Sequence, residues 1–318
     1  MASYDVGGFA AYQINTSSGA TFYEGVTVTS ATLDDLDGGI VWTEGETVLN
    51  YSSTPSNDYL GKISVDLVGG GSMVLPIVRG LAAYTDPNVI QVLIVYPAAM
   101  SASEFVFPDP IDYASRSTDD FTVCFAAGTG ISTPDGDRPV ESLSIGDVIC
   151  NAQGDAVPVR WIGQQTVFPV FAGPRSAPVR ILAGALGSGL PHTDLTVTAD
   201  HGMIVEGLVI NAGALVNGDS IAFVPLAELP ESVTYYHVET ENHDVILANG
   251  APAETFIDYV GRQAFDNHAE YVALYGCERI IPEMTRPRIS TARLVPEAIR
   301  ARLAISMHRG SAREMLIA

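Results

Sequence analysis

Across most of its length the chain repeats one pattern. Short runs rich in β-branched and aromatic residues are stopped by Gly, Asn, Asp, Ser or Pro. The first third carries TFYEGVTVTSATL, GGIVWTEGETVLNYSS, YLGKISVDLV and PNVIQVLIVYP. Later come APVRILAGAL, DLTVTADHGMIVEGLVINAGALV, DSIAFVPL and VTYYHVETENHDVILANG. Turn signals recurring every 8 to 12 residues or about that predict short strands in a sandwich, a barrel or a folded-over sheet. No helical period of useful length interrupts them before the tail, so the expected fold class is all-β.

The 318 residues favour two domains. Residues 1–107 read as an acidic, sandwich-like β-domain. Residues 108–122, PDPIDYASRSTDDFT, are proline- and aspartate-rich and read as a linker. Residues 123–262 form a second β-rich region. It contains STPDGDRPVESL, whose Asp135-Gly136 pair is a hairpin signal. Residues 263–318 form a tail that holds half of the chain's basic residues, all arginine: 279, 286, 288, 293, 300, 302, 309 and 313. Within it VPEAIRARLAISMHRG predicts a short amphipathic helix. Pro296 starts it, Ile299, Leu303 and Met307 share one face, and Gly310 ends it. An arginine-rich helix on an acidic chain is expected to dock on the body.

Charge narrows the function. The net charge is -21, and the single lysine is Lys62. Such a surface repels phosphate, so no nucleic-acid partner is expected. No apolar run reaches the length of a membrane span, so none is expected. The N-terminus MASYDVGGFAAYQ lacks a basic region followed by an apolar one, the pattern of a Sec signal. The expected location is the cytoplasm, or outside by a route without a cleaved Sec signal. Cys124, Cys150 and Cys277 are odd in number and widely spaced, which supports neither a disulfide framework nor a zinc site. Asp34, Asp35 and Asp37 lack the ligand spacing of an EF-hand loop and read as a solvated turn. No metal and no cofactor are expected.

Four pieces stand in order through the second region. They are Cys124 in CFAAGTGISTPDGDRPVESLSIGDVI, TVTADH ending at His201, YYHVE with His237, and HDVILANG with His243 and Asn249. In this order they resemble the Hint family, the self-processing domain shared by Hedgehog proteins and inteins, and look closest to its bacterial intein-like members. The resemblance covers roughly 123–262 and leaves out the N-terminal domain. It implies a Hint-type β-fold.

The chemistry follows from residue types. A cysteine ahead of a β-hairpin can attack the carbonyl of its own upstream peptide bond, here Val123–Cys124, turning an amide into a thioester. That uphill step needs a distorted peptide bond, donors for the oxyanion, and a proton for the departing nitrogen. His201 is the candidate proton carrier. The resemblance implies that Thr198, three residues earlier, faces the scissile bond with it. His237 falls where inteins often have an aspartate that assists the first acyl shift. His243 and Asp244 fall in a related block that often carries histidine, and strand geometry lets at most one of them reach the site. Cys150 and Cys277 read as inert. Splicing inteins end in His-Asn followed by Cys, Ser or Thr; here Asn249-Gly250 is followed by APAETFIDYVGR, and no such block appears. Asn249 therefore reads as a turn residue.

The expected activity is single-turnover autocatalytic cleavage, with the chain's own N-terminal domain as substrate. An N–S acyl shift at Val123–Cys124 would be followed by cleavage of the thioester, or by transfer to water, a thiol, an amine or an alcohol. The alternative is an inactive Hint scaffold within a secreted or surface binding protein. A cysteine hydrolase acting on other molecules is the weakest reading, because nothing suggests a separate substrate cleft.

Overall fold

The computed structural model describes residues 3–15, 21–36, 39–44, 47–49, 59–79, 89–109, 111, 123–169, 176–257 and 261–305. The chain divides into two compact units. One comprises residues 1–119, 168–173 and 226–232; the other comprises 120–167, 174–225 and 233–318.

The first unit is one eight-stranded antiparallel sheet among the described residues, where the sequence suggested a sandwich. Its strands are β1 (Ser3–Asn15), β2 (Thr21–Leu36), β3 (Gly39–Glu44), β4 (Thr47–Leu49), β5 (Tyr59–Leu67), β6 (Ser72–Arg79), β7 (Val89–Pro97) and β8 (Phe105–Val106), in the order β4-β3-β2-β1-β7-β6-β5-β8. Alternation along β1, β5, β6 and β7 sends Tyr12, Ile14, Val65, Leu75, Ile77, Val92 and Ile94 into a common core. Lys62 is buried as well. Asp34 and Asp35 belong to β2 itself, opposite Val41 and Ile40 of β3. Asp37 lies outside the described residues, as does most of the linker expected at 108–122.

The second unit holds the remaining strands: β9 (Phe125–Ala126), β10 (Gly130–Thr133), β11 (Gly136–Pro139), β12 (Val148–Cys150), β13 (Ala156–Pro158), β14 (Trp161–Val167), β15 (Val179–Ile181), β16 (Leu195–Val197), β17 (Gly202–Val205), β18 (Leu208–Asn211), β19 (Ile221–Phe223), β20 (Val233–Glu239), β21 (Val245–Ala248), β22 (Ala251–Glu254) and β23 (Arg288–Ile289). A six-stranded sheet runs β14-β20-β9-β16-β15-β19, a seven-stranded sheet runs β11-β10-β21-β22-β17-β18-β23, and β12 pairs with β13. Phe125, Val197 and Val238 from the first sheet and Ile131, Met203, Ile210 and Ile246 from the second share one buried core.

Turn chemistry sets the registers. The β10–β11 hairpin closes on Thr133 opposite Gly136, so Pro134 and Asp135 make the turn and Gly136 opens the strand. That is one residue earlier than the Asp-Gly signal suggested. Asn249 and Gly250 join β21 to β22 with φ of 46° and 77°. Two positive φ values in a two-residue loop are what a twisted antiparallel pair demands.

The tail holds two α-helices among the described residues, α1 (His268–Tyr275) and α2 (Glu297–Arg302). Only α2 was expected. It is shorter than predicted, yet Ile299, Leu303 and Ile305 reach the core of the second unit. Arg302 adds an ion pair to Glu206 and a hydrogen bond to the Leu186 carbonyl. Met307 and Gly310 lie outside the described residues. Helix α1 shows no apolar stripe, and among its residues only Tyr271 is buried. Besides the Tyr271 ring, edge-on to Trp161, polar bonds fix it. Asn267, just ahead of it, accepts from Gln164 N at 2.9 Å and donates to Ile162 O at 2.8 Å, both on β14.

Candidate functional site

Strand β9 lies between β16 and β20. Phe125 pairs with Val197 on one side and with Tyr236 on the other. One step back along both ladders puts Cys124 between Thr198 and His237. Hydrogen bonds secure the Thr198 side. Cys124 N donates to Thr198 Oγ1 at 2.8 Å, and Thr198 N donates to Cys124 O at 3.0 Å. The Thr198 hydroxyl is therefore held against the nitrogen of the Val123–Cys124 bond. Cys124 is fully buried and in no disulfide, and Val123 is buried beside it. Burial, and after it the charge of Cys124, push the Tyr235 phenol up, so Tyr235 stays protonated.

His201 ends the turn that follows β16. Its backbone is fixed on both sides, His201 N donating to Thr198 O at 3.0 Å and Ala212 N donating to His201 O at 2.8 Å. Its ring lies 4.2 Å from that of Phe125, the residue after Cys124, and 5.6 Å from that of His237 in an edge-on arrangement. Phe256 and Phe265 close over His237. Gly163, opposite His237 on β14, is what admits Phe265: a Cβ there would lie 2.6 Å from its ring. Both histidines are buried, and none of their four ring nitrogens has a hydrogen-bond partner among the described residues. Burial lowers His201 to about 4, with Glu254 opposing and Arg288 and His243 adding to the fall. Burial also pulls His237 well below the ordinary range, and the neighbouring His201 adds to that. Both rings are neutral at pH 7.

His243 takes another place. Its Nδ1 accepts from Met284 N at 3.1 Å, which leaves Nε2–H to donate to Glu254 Oε2 at 3.0 Å. Its hydrogen bonds reach Cys124 neither directly nor through Thr198. Asp244 turns away, accepting from Thr240 Oγ1 at 2.8 Å. Asn249 uses both side-chain ends in the turn, accepting from Gly130 N at 2.7 Å and donating to Asp194 O at 2.9 Å. Cys150 is half-buried and Cys277 exposed. Among the described residues no cluster of His, Cys, Asp and Glu is arranged to hold a metal ion, and no helix is long and apolar enough to cross a membrane.

Two residues that sequence reasoning passed over are Glu254 and Arg288. Glu254 is fully buried. Its Oε1 accepts from Gly202 N at 2.7 Å and from Arg288 at 3.1 Å, and its Oε2 accepts from His243 and from a second Arg288 nitrogen. Burial alone would raise its pKa; the hydrogen bonds from His243 and Arg288 prevail and hold it at about 2. The available signal was a glutamate in an otherwise small and apolar strand, APAETF. Arg288 gave none, because its contact spans thirty-odd residues and depends on β23 pairing in parallel with β18.

The Hint domain family model matches residues 123–260. No curated protein matches the chain. Among solved structures, the MchDnaB-1 intein is 19% identical with a TM-score of 0.31, covering 41% of this chain and 98% of its own. The gp41-1 intein is 13% identical with a TM-score of 0.31, covering 42% and 98%. The bacterial intein-like domain from Clostridium thermocellum is 15% identical with a TM-score of 0.32, covering 43% and 100%. The family model begins at Val123, one residue before the buried cysteine, and spans the strands that bring Thr198, His201 and His237 around it. Residues 123–260 of this chain match the Hint domain family.

Proposed function

We propose that this chain cuts itself once at Val123–Cys124, through an N–S acyl shift, and releases or transfers residues 1–123 without splicing. The observation that carries the reading is the Cys124 N–H held on Thr198 Oγ1 at 2.8 Å. Anchoring the amide hydrogen on one side leaves the other face of the nitrogen open to an incoming proton. Protonating that nitrogen is what lets the C–N bond break instead of the C–S bond.

A neutral imidazole takes the proton from Cys124 Sγ. The thiolate attacks the Val123 carbonyl carbon, forming the C–S bond and an oxyanion. On collapse, the electron pair of the C–N bond leaves on the Cys124 nitrogen, which receives the same proton. The products are a thioester on Val123 and a free α-amino group on Cys124. An external nucleophile then cleaves the thioester.

His201 at about 4 cannot bring a proton of its own at pH 7. It must first take the thiol's, and a depressed imidazolium then gives it up readily. His237, 5.6 Å away ring to ring, would share this duty. His243 enters only through Glu254. Water reaches the buried junction poorly, and the β-branched Val123 crowds the thioester, which favours a strong nucleophile over hydrolysis.

Support for the absence of splicing comes from Asn249. Cyclisation needs its side-chain nitrogen at its own carbonyl, whereas that nitrogen donates to Asp194 O. The inactive-scaffold alternative does not account for four ring nitrogens without a partner among the described residues beside a buried cysteine. Each such group costs about 1–3 kcal/mol, which an inert core would avoid with Phe or Leu. The test is a Cys124→Ala chain, which should fold and stay intact where the parent cleaves. Parent and variant behaving alike would end the proposal.

A further inference from the structure

We propose that Glu254 is the positioning residue of the processing site, and that the segment around Arg288, outside the Hint match, is the part of the chain that holds it there. This rests on the self-cleavage reading and adds a component to it.

The geometry begins with strand pairing. Met203 of β17 sits opposite Ala253 of β22, so the residue after Ala253 meets the residue before Met203. There Glu254 Oε1 takes the Gly202 N–H at 2.7 Å, immediately after His201. With Thr198 O and Ala212 N already bound to the His201 backbone, this clamp fixes the chain on the third side. Only glycine permits it, because a Cβ at 202 would lie 2.4 Å from Glu254 Oε1.

A buried carboxylate persists only if its lone pairs are met by donors. Those donors come from outside the strand. His243 Nε2 supplies one at 3.0 Å and Arg288 supplies two. Arg288 also donates to Asn211 Oδ1 at 3.2 Å, and Asn211 in turn bonds Asp200, the residue before His201. Glu283 stands 3.8 Å from Arg288 on the outer side. The Met284 N–H fixes the ring of His243. Residues 283–288 thus reach both flanks of His201 through Asn211 and Glu254, and orient the histidine that faces Glu254.

The charge has a role beyond anchorage. When His201 carries the thiol proton it becomes a cation in a dry site, where its surroundings decide how long it survives. Glu254 favours that cation, while Arg288 and His243 oppose it. Glu254 acts through His201 and touches neither the thiol nor the scissile bond.

The test uses the full chain in two arms. In the first, dithiothreitol-induced release is timed at pH 7 for the parent, Glu254→Gln, Arg288→Met and Arg288→Lys. Glu254→Gln should slow release about ten- to a hundred-fold, less than the roughly 10²–10³ for losing a donor in direct contact with the reacting atoms, because Glu254 acts through His201. Arg288→Lys should retain more activity than Arg288→Met. In the second arm, the His201 ring is titrated by NMR in the uncut Cys124→Ala chain. Removing the carboxylate with Glu254→Gln should move protonation of His201 to lower pH, and Arg288→Met should move it to higher pH. Mere loosening would admit water and raise both. An unchanged rate with an unmoved or raised His201 titration in Glu254→Gln would overturn the proposal. Should Glu254→Gln fail to fold, equal rates for the parent and both Arg288 variants would overturn it instead. If the parent does not cleave at all, the processing reading fails by itself, and the NMR arm still decides whether Glu254 governs His201.

Discussion

Acidification should destabilise the Hint unit well before its carboxylates titrate, and the size of the effect follows from one buried ring. His201 is fully buried and its folded pKa is about 4, against an ordinary 6.5. As pH falls below 6.5 the unfolded chain takes up a proton at this position while the folded chain does not. The stability is therefore complete above 6.5 and drains away until pH 4. The steepest loss is about 1.4 kcal/mol per pH unit for one proton, and integrating from pH 7 to pH 5 gives about 2 kcal/mol. His237 shifts in the same direction and adds to the loss. Glu254, held at about 2, keeps its contribution above its ordinary 4.5 and loses it only toward pH 2, so it does not enter this window. The assay is urea unfolding of the Cys124→Ala chain at pH 7, 6 and 5. It is followed through Trp161, which is buried against Phe265 and Tyr271, with the second tryptophan removed as Trp42→Phe. The free energy of the Trp161 transition should drop by at least about 2 kcal/mol. Adding His201→Leu should remove about that much of the pH dependence while leaving the contribution of His237. A transition independent of pH between 7 and 5 would refute the assignment of two buried neutral imidazoles.

Three further outcomes follow from the geometry. Thr198→Val should slow thiol-induced release at pH 7 by about ten-fold or more, and Thr198→Ser should restore most of it; equal rates for Val and Ser would show that the hydroxyl on Cys124 N is idle. Gly202→Ala changes no ionisable group, yet its Cβ collides with Glu254, so release should fall as far as in Glu254→Gln; wild-type kinetics would mean that the clamp is dispensable. Leu303→Ala should lower the stability of the Hint unit by about 2–4 kcal/mol, read by the Trp161 transition, because Leu303 is buried in its core; a loss below about 0.5 kcal/mol would show that α2 is not docked there in solution.

What the sequence made legible, and what it hid, divides along physical lines. Local patterns carried far. Alternation and turn residues announced the strands, and Asn249-Gly250 announced its turn, because each signal lies within a few residues of its cause. The Cys124, Thr198 and His237 grouping was reachable only by resemblance, since nothing local says that β9 inserts between β16 and β20. His243 was expected near the cysteine and instead holds Glu254; its neighbours are decided by the packing of residues 283–288 against β22, which no short motif encodes. Helix α1 escaped because, Tyr271 apart, its anchoring is polar, through Asn267 to the β14 backbone, and leaves little apolar stripe. The tail was set apart as a separate segment. Yet Phe265 closes over His237, Arg288 meets Glu254, and Ile299 fills the core, so the second unit extends through α2.

The most direct test of self-cleavage is the intact mass of the purified chain at neutral pH, with and without dithiothreitol or hydroxylamine. Thiol should convert the parent into two pieces, roughly 13 kDa and roughly 21 kDa when 33.7 kDa is divided by residue number. The larger should begin at Cys124, and hydroxylamine should leave a hydroxamate on Val123. The Cys124→Ala chain should remain whole under both reagents. A folded parent that also remains whole, or a product joining residues 1–123 to the tail, would contradict the account.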